Sequence, residues 1–127
     1  MQITLYGIKS CGSVKKAIAL LQKHDIPFHF IDLKTTTPSK RQIQSWIEAK
    51  GIKIVLNTKG TTYKNLKKEG KITEGIINSS LEIQSNTLFD TPMLLKRPII
   101  TSEKHLLIGY DEGEILGLIH AFQQRTL

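Results

Sequence analysis

The first 33 residues constrain the fold more than any other stretch of the chain. Gln2-Ile3-Thr4-Leu5-Tyr6 alternates polar and apolar side chains, the period of a half-buried strand. Gly7 to Gly12 has loop composition. From Ser13 to His24 the apolar residues fall at Val14, Ala17, Ile18 and Leu21, while Lys15, Lys16, Gln22 and Lys23 take the opposite side. That spacing predicts a helix with one buried face. Asp25-Ile26-Pro27 ends it, and Phe28 to Leu33 predicts a second strand with Phe28, Phe30 and Leu33 inward. A strand, a helix and a strand of these lengths make a βαβ unit, with parallel strands and a right-handed crossover.

The middle of the chain is helical in pattern. Thr35-Thr36-Thr37-Pro38 predicts a helix start, with a hydroxyl cap followed by proline in the first turn. The helix extends to about Lys50, with Ile43, Trp46 and Ile47 inward and Gly51 suited to its C-terminal cap. Trp46 is expected as a core anchor. Ile52 to Leu56 is short and apolar, and Asn57 to Gly60 is a loop. Thr61 or Thr62 is the expected cap of a short helix carrying Tyr63 and Leu66, with further short helices near Glu74 to Ile77 and Leu81 to Leu88. After Asp90-Thr91-Pro92, strands at Ile99 to Thr101 and His105 to Ile108 form a hairpin across Ser102-Glu103-Lys104. Asp111 caps the last helix, with Glu114 three residues on and a stripe of Ile115, Leu118, Ile119 and Phe122. The order is β-α-β, a helical middle, then β-β-α, and one sheet with helices packed on it is the economical arrangement.

Composition narrows the class. With 127 residues, 39% hydrophobic and 23% charged, the chain suits a single globular domain, residues 1–127. No apolar run approaches the roughly 18 residues that suggest a membrane span. The N-terminus has neither the basic nor the long apolar segment of a secretion signal, so a cytoplasmic protein is expected, without membrane contact. One cysteine excludes an intrachain disulfide and fits a reducing compartment. The net charge of +7 is concentrated at Lys59, Lys64, Lys67, Lys68 and Lys71. A solvated helical face is the first reading of that stretch, and an anion-attracting surface the second. Direct nucleic-acid binding ranks third, since Trp46 and Tyr63 are isolated aromatics and not a stacking platform.

The chemistry-bearing residue is Cys11, between the first strand and the first helix. Free N–H groups at a helix start carry partial positive charge and favour a thiolate over a thiol. Lys9, Lys15 and Lys16 add positive potential, and the N–H groups of Gly12, Ser13 and Val14 can cradle an anion beside the sulfur. The plainer alternative is a buried, inert cysteine. Val14 occupies the place of the second thiol of a C-x-x-C pair, so redox chemistry at Cys11 needs a thiol from outside the chain. Arg97-Pro98 precedes the hairpin. A proline there can be cis, and Arg97 can offer a charged fork to an anion, although an ordinary surface arginine is the simpler reading. Lys59 is a second candidate anion contact, or simply one lysine in a basic turn. His24, His29, His105 and His120 show no metal-ligand spacing.

Three motifs, in order, carry a family resemblance from about Gln2 to Ile119. Ile3-Thr4-Leu5-Tyr6-Gly7-Ile8-Lys9-Ser10-Cys11, with Val14-Lys15-Lys16-Ala17, resembles the start of the ArsC/Spx family, especially its YffB-like branch. Asn57-Thr58-Lys59-Gly60-Thr61-Thr62-Tyr63 is similar to that branch's middle motif. Leu94-Leu95-Lys96-Arg97-Pro98-Ile99-Ile100, with Gly109-Tyr110-Asp111-Glu112, resembles the C-terminal motif in its Spx-type form. The resemblance implies an α/β, thioredoxin-like fold, a βαβ half plus a ββα half, with an inserted helical segment. It also implies a nucleophilic cysteine at Cys11 and an arginine beside a cis-proline at Arg97 and Pro98. No bound metal or prosthetic group is implied. Glutathione is implied as cosubstrate, with glutathione or a glutaredoxin-like protein as thiol donor.

The same resemblance frames two functions. The first is a thiol-dependent oxidoreductase in which Cys11 attacks, the N–H groups near Gly12 and Ser13 stabilise charge, Arg97 positions substrate and Lys59 assists. Arsenate reduction is disfavoured, because Lys59 replaces an arginine of the reductases and Leu107-Ile108-Gly109-Tyr110 lacks their third arginine. The second is an Spx-like transcriptional regulator that binds the C-terminal domain of the RNA polymerase α subunit. Gly51 matches a position of that contact, although a helix cap is its simpler role.

Overall fold

A computed structural model describes residues 2–125. The chain forms two compact units. The first takes in the chain up to Asp32 and again from Arg97 onward, and the second is Leu33–Lys96.

The first unit holds the only sheet found among the described residues. Its strands are β1 (Thr4–Gly7), β2 (His29–Asp32), β3 (Ile99–Thr101) and β4 (Leu106–Ile108), and its helices are α1 (Gly12–Lys23) and α6 (Glu112–Arg125). The strand order is β2-β1-β3-β4. β1 and β2 are parallel, with Leu5 opposite Phe30 and Gly7 opposite Asp32. β3 runs antiparallel to β1, placing Ile100 opposite Leu5, and β4 closes the hairpin with Leu107 opposite Ile100. Leu5, Ile100 and Leu107 share one face, and the stripes of both helices pack with them. Val14, Ala17 and Leu21 come from α1, and Ile115, Leu118 and Ile119 from α6. The period-2 and period-3.6 patterns therefore meet in one core. Asp111 caps α6 by accepting the Glu114 N–H at 2.9 Å.

The second unit is helical: α2 (Lys40–Lys50), the single turn α3 (Ile52–Val55), α4 (Thr61–Lys68) and α5 (Leu81–Asp90), with 3-10 turns at Glu74–Asn78 and Pro92–Leu94. Ile43, Trp46 and Ile47 are buried on α2, as their spacing predicts. Gln84, only 6% exposed, was not singled out from the sequence. Its amide nitrogen bonds the carbonyls of Ile76 (3.0 Å) and Ser79 (3.1 Å), tying the 3-10 turn to α5. A polar side chain inside an apolar pattern gives no such sign until the carbonyls it serves are in place.

Several boundaries differ from expectation, each for a local reason. The cap of α2 is Ser39, not one of the threonines: its hydroxyl accepts the Gln42 N–H at 3.1 Å, and the helix begins at Lys40. Ser39-Lys40-Arg41-Gln42 has the spacing of a capping box, and Pro38 and Ile43, both buried, occupy its flanking apolar positions. Gly60, and neither Thr61 nor Thr62, precedes α4, without a side-chain cap. Its carbonyl accepts the Lys64 N–H at 3.2 Å. β4 starts at Leu106 because His105 belongs to the turn, where its carbonyl accepts the Ser102 N–H at 3.0 Å. α1 starts one residue early, at Gly12, which makes Cys11 its N-cap. No helix among the described residues is long and apolar enough to cross a membrane.

Candidate functional site

The sheet register decides which loops meet. β1 and β3 are antiparallel, so the end of β1 and the start of β3 lie at the same end of the sheet. The loop from Gly7 to Cys11 leaves that end, and Arg97-Pro98 enters it. The peptide bond between Arg97 and Pro98 is cis. Pro98 is buried, and its carbonyl accepts the Gly109 N–H at 2.8 Å, which adds the β4–α6 connection to the same end. Cys11, Gly12, Ser13, Arg97 and Pro98, far apart in sequence, are therefore grouped by topology.

Cys11 is half-buried and packs against the core cluster. Its backbone is extended (φ −78°, ψ 126°), its N–H donates to the Ile8 carbonyl at 3.1 Å, and its carbonyl accepts the Lys15 N–H at 3.0 Å. The side chain makes no capping bond to the helix. The sulfur is thus placed at the start of α1, where backbone donors lack helical partners. Gly12 and Ser13, the first two helical residues, are exposed. A Cβ added at Gly12 would meet no atom within 4 Å among the described residues, so packing does not demand glycine there.

Gly7 is a residue whose role the sequence did not reveal. A Cβ there would lie 2.7 Å from Val14 Cγ2, so the bare backbone of Gly7 lets α1 sit close to β1. Val14 is fully buried, and its place three residues after Cys11 is filled by core packing. Arg97 is half-buried, and its Nε lies out of solvent. The Lys9 ammonium stands 5.9 Å from the centroid of Phe30, and that of Lys16 stands 5.9 Å from the centroid of Tyr110.

Lys59 and Gly51 belong to the second unit. Lys59 is exposed in the turn before α4. Gly51 joins α2 to α3 with φ +87°, a conformation that favours glycine, and its N–H donates to the Ile47 carbonyl at 2.7 Å. Its expected role as a cap is therefore met. Among the described residues no three of His, Cys, Asp and Glu gather as a group able to hold a metal ion.

A sequence model of the ArsC family matches residues 6–118. The regulatory protein MgsR of Bacillus subtilis is 36% identical over 119 residues, covering 92% of this chain and 90% of that protein. The global transcriptional regulator Spx of Staphylococcus aureus is 34% identical over 116 residues, 89% of this chain and 83% of that one. Among solved structures, a protein named YffB superposes with a TM-score of 0.79 at 26% identity, covering 93% of this chain and 99% of its own. A possible arsenate reductase from Streptococcus mutans gives 0.77 at 29% identity, covering 91% and 98%. The βαβ and ββα halves with their helical insertion are the thioredoxin-like fold of these proteins.

Proposed function

The chain belongs to the ArsC family, and we propose that it is a thiol-dependent oxidoreductase working through the single thiol of Cys11, with glutathione as the external thiol. One observation carries this reading: Cys11 is the N-cap of α1, its side chain makes no capping bond, and the next two residues, Gly12 and Ser13, are exposed. In the proposed cycle the Cys11 thiolate attacks a sulfur of a disulfide substrate. A new S–S bond forms, the old one breaks, and the departing thiolate takes a proton from water. A glutathione thiolate then attacks the mixed disulfide and frees Cys11, and a second exchange releases glutathione disulfide. Two glutathione thiols are oxidised for each substrate disulfide reduced. The N–H groups at Gly12 and Ser13 stabilise negative charge at the helix start, and Arg97 beside Pro98 positions the anionic part of the substrate or thiol. A lone thiol of this kind suits a reducing, cytoplasmic setting.

The test is turnover of hydroxyethyl disulfide with reduced glutathione, coupled to glutathione reductase. The rate scales with protein and is abolished in Cys11→Ser. A rate that survives this substitution, or no rate above the glutathione blank, overturns the reading.

A second reading has its own observation. Gly51 is exposed at the α2–α3 elbow with no atom within 4 Å of an added Cβ, and Ile54 beside it is 49% exposed. An open elbow with an apolar residue suits contact with another protein, and the relatives named above include regulators. In that reading the chain binds the C-terminal domain of the RNA polymerase α subunit. Binding that is lost in Ile54→Asp and kept in Cys11→Ser supports it, and an absence of binding removes it.

A further inference from the structure

We propose that Lys16 and Lys9 set the charge selectivity of the Cys11 site, favouring anionic disulfides, an inference that rests on reading Cys11 as an exchanging thiol. The two ammonium groups lie over rings that flank β1 on its two sides. The thiol loop follows β1. Phe30, under Lys9, lies on β2 to one side of β1, and Tyr110, under Lys16, follows β4 on the other. Tyr110 packs against the core and directly follows Gly109, whose N–H is bonded to the Pro98 carbonyl, so its ring is anchored at the thiol end of the sheet.

The kind of anchor matters. A carboxylate partner would neutralise an ammonium group, as Glu74 does for Lys67 at 2.6 Å. An aromatic face attracts the cation through its quadrupole and carries no net charge, so the ammonium is localised while its field persists. Among the described residues no carboxylate lies within 4.0 Å of Lys9 or Lys16, and each meets only its ring. Asp32, Asp111, Glu112 and Glu114 are the opposing charges on this unit's neighbouring segments, and Asp111 is engaged by the Glu114 N–H. Lys9 and Lys16 are positioning residues: neither is assigned a bond to the reacting sulfur.

The experiment measures exchange rates of Cys11 with three symmetric disulfides: anionic glutathione disulfide, neutral hydroxyethyl disulfide and cationic cystamine. In each reaction the Cys11 sulfur bonds to one half, the S–S bond breaks, and the other half leaves as a thiolate that takes a proton from water. The anionic probe is expected to exceed the cationic one by about tenfold at low salt, the lower end of steering effects. The ratio narrows as salt rises. Lys16→Glu and Lys9→Glu each lower the ratio, and Tyr110→Leu lowers it with no change in charge. Lys23→Glu, at the far end of α1, makes the same charge change and leaves the ratio as it was. Equal ratios across all variants, with exchange still occurring, overturn the selectivity and leave the thiol reading standing. No exchange with any probe overturns both.

Discussion

A methyl group on Gly7 would press into Val14, at 2.7 Å from Cγ2. Val14 is fully buried and has nowhere to retreat. Gly7→Ala is therefore expected to cost about 1–3 kcal/mol, the range for overpacking a filled core. Urea unfolding of both single variants and the double variant checks the cause. In a Val14→Ala background the cost of Gly7→Ala falls well below its value in the native chain, the coupling expected of residues in contact. Additive costs would contradict the contact. Residue-level features were legible unevenly. Cys11 at a helix start and the cap at Gly51 follow from local chemistry, the cis bond at Pro98 is what the family resemblance implies, and each is found in place. The Gly7–Val14 approach joins a strand to a helix, and the Lys16–Tyr110 contact joins residues from opposite halves of the unit. No local pattern encodes either pair.

At the scale of elements, the start of α2 separates two caps that the sequence offers. Ser39→Ala removes the acceptor for the Gln42 N–H and is expected to cost about 1 kcal/mol. Thr37→Ala, at an exposed position before the cap, is expected to stay within about 0.5 kcal/mol, as surface changes do. Thermal unfolding distinguishes the two. The misplaced cap shows why boundaries were less legible than element types. Three threonines before a proline and a serine after it all offer a hydroxyl, and the buried pair Pro38 and Ile43 accompanies the serine. The link from α4 to the following 3-10 turn carries a pH dependence. The Lys67 ammonium holds the Glu74 carboxyl below its ordinary range, and Glu74 in turn raises Lys67. The lowered carboxyl contributes stability above its unfolded value, and the contribution is lost as pH falls through its folded value. The raised ammonium contributes below its unfolded value and loses that as pH rises through its folded one. Both groups are exposed, so the effect is small and salt-sensitive. Unfolding of Glu74→Gln should differ from the native chain near neutral pH in dilute buffer, and the difference should vanish in acid or high salt.

At the scale of the molecule, the βαβ and ββα halves were legible because each is built from local periodicity, one around a helical crossover and the other around a tight hairpin. The thioredoxin-like fold came from the family resemblance, since periodicity leaves other α/β arrangements open, and the order that places β1 between β2 and β3 emerges only in the structure. The division into two units had no signal in composition: Leu33–Lys96 is neither richer in glycine and proline nor bounded by a linker. In the proposed cycle the single cysteine leaves resolution of a mixed disulfide to a thiol from outside the chain. Val14→Cys supplies the missing second thiol, and a mixed disulfide at Cys11 is then expected to resolve within the chain. Chromatography under non-reducing conditions should show the small thiol released without added reductant.

The central claim, a reactive single thiol resolved from outside, is tested most directly by intact mass after incubation with glutathione disulfide. The account predicts one glutathione per native chain, on Cys11, absent from Cys11→Ser and removed by reduced glutathione. No adduct on the native chain, where the unfolded chain forms one readily, would contradict it and leave Cys11 a packing residue.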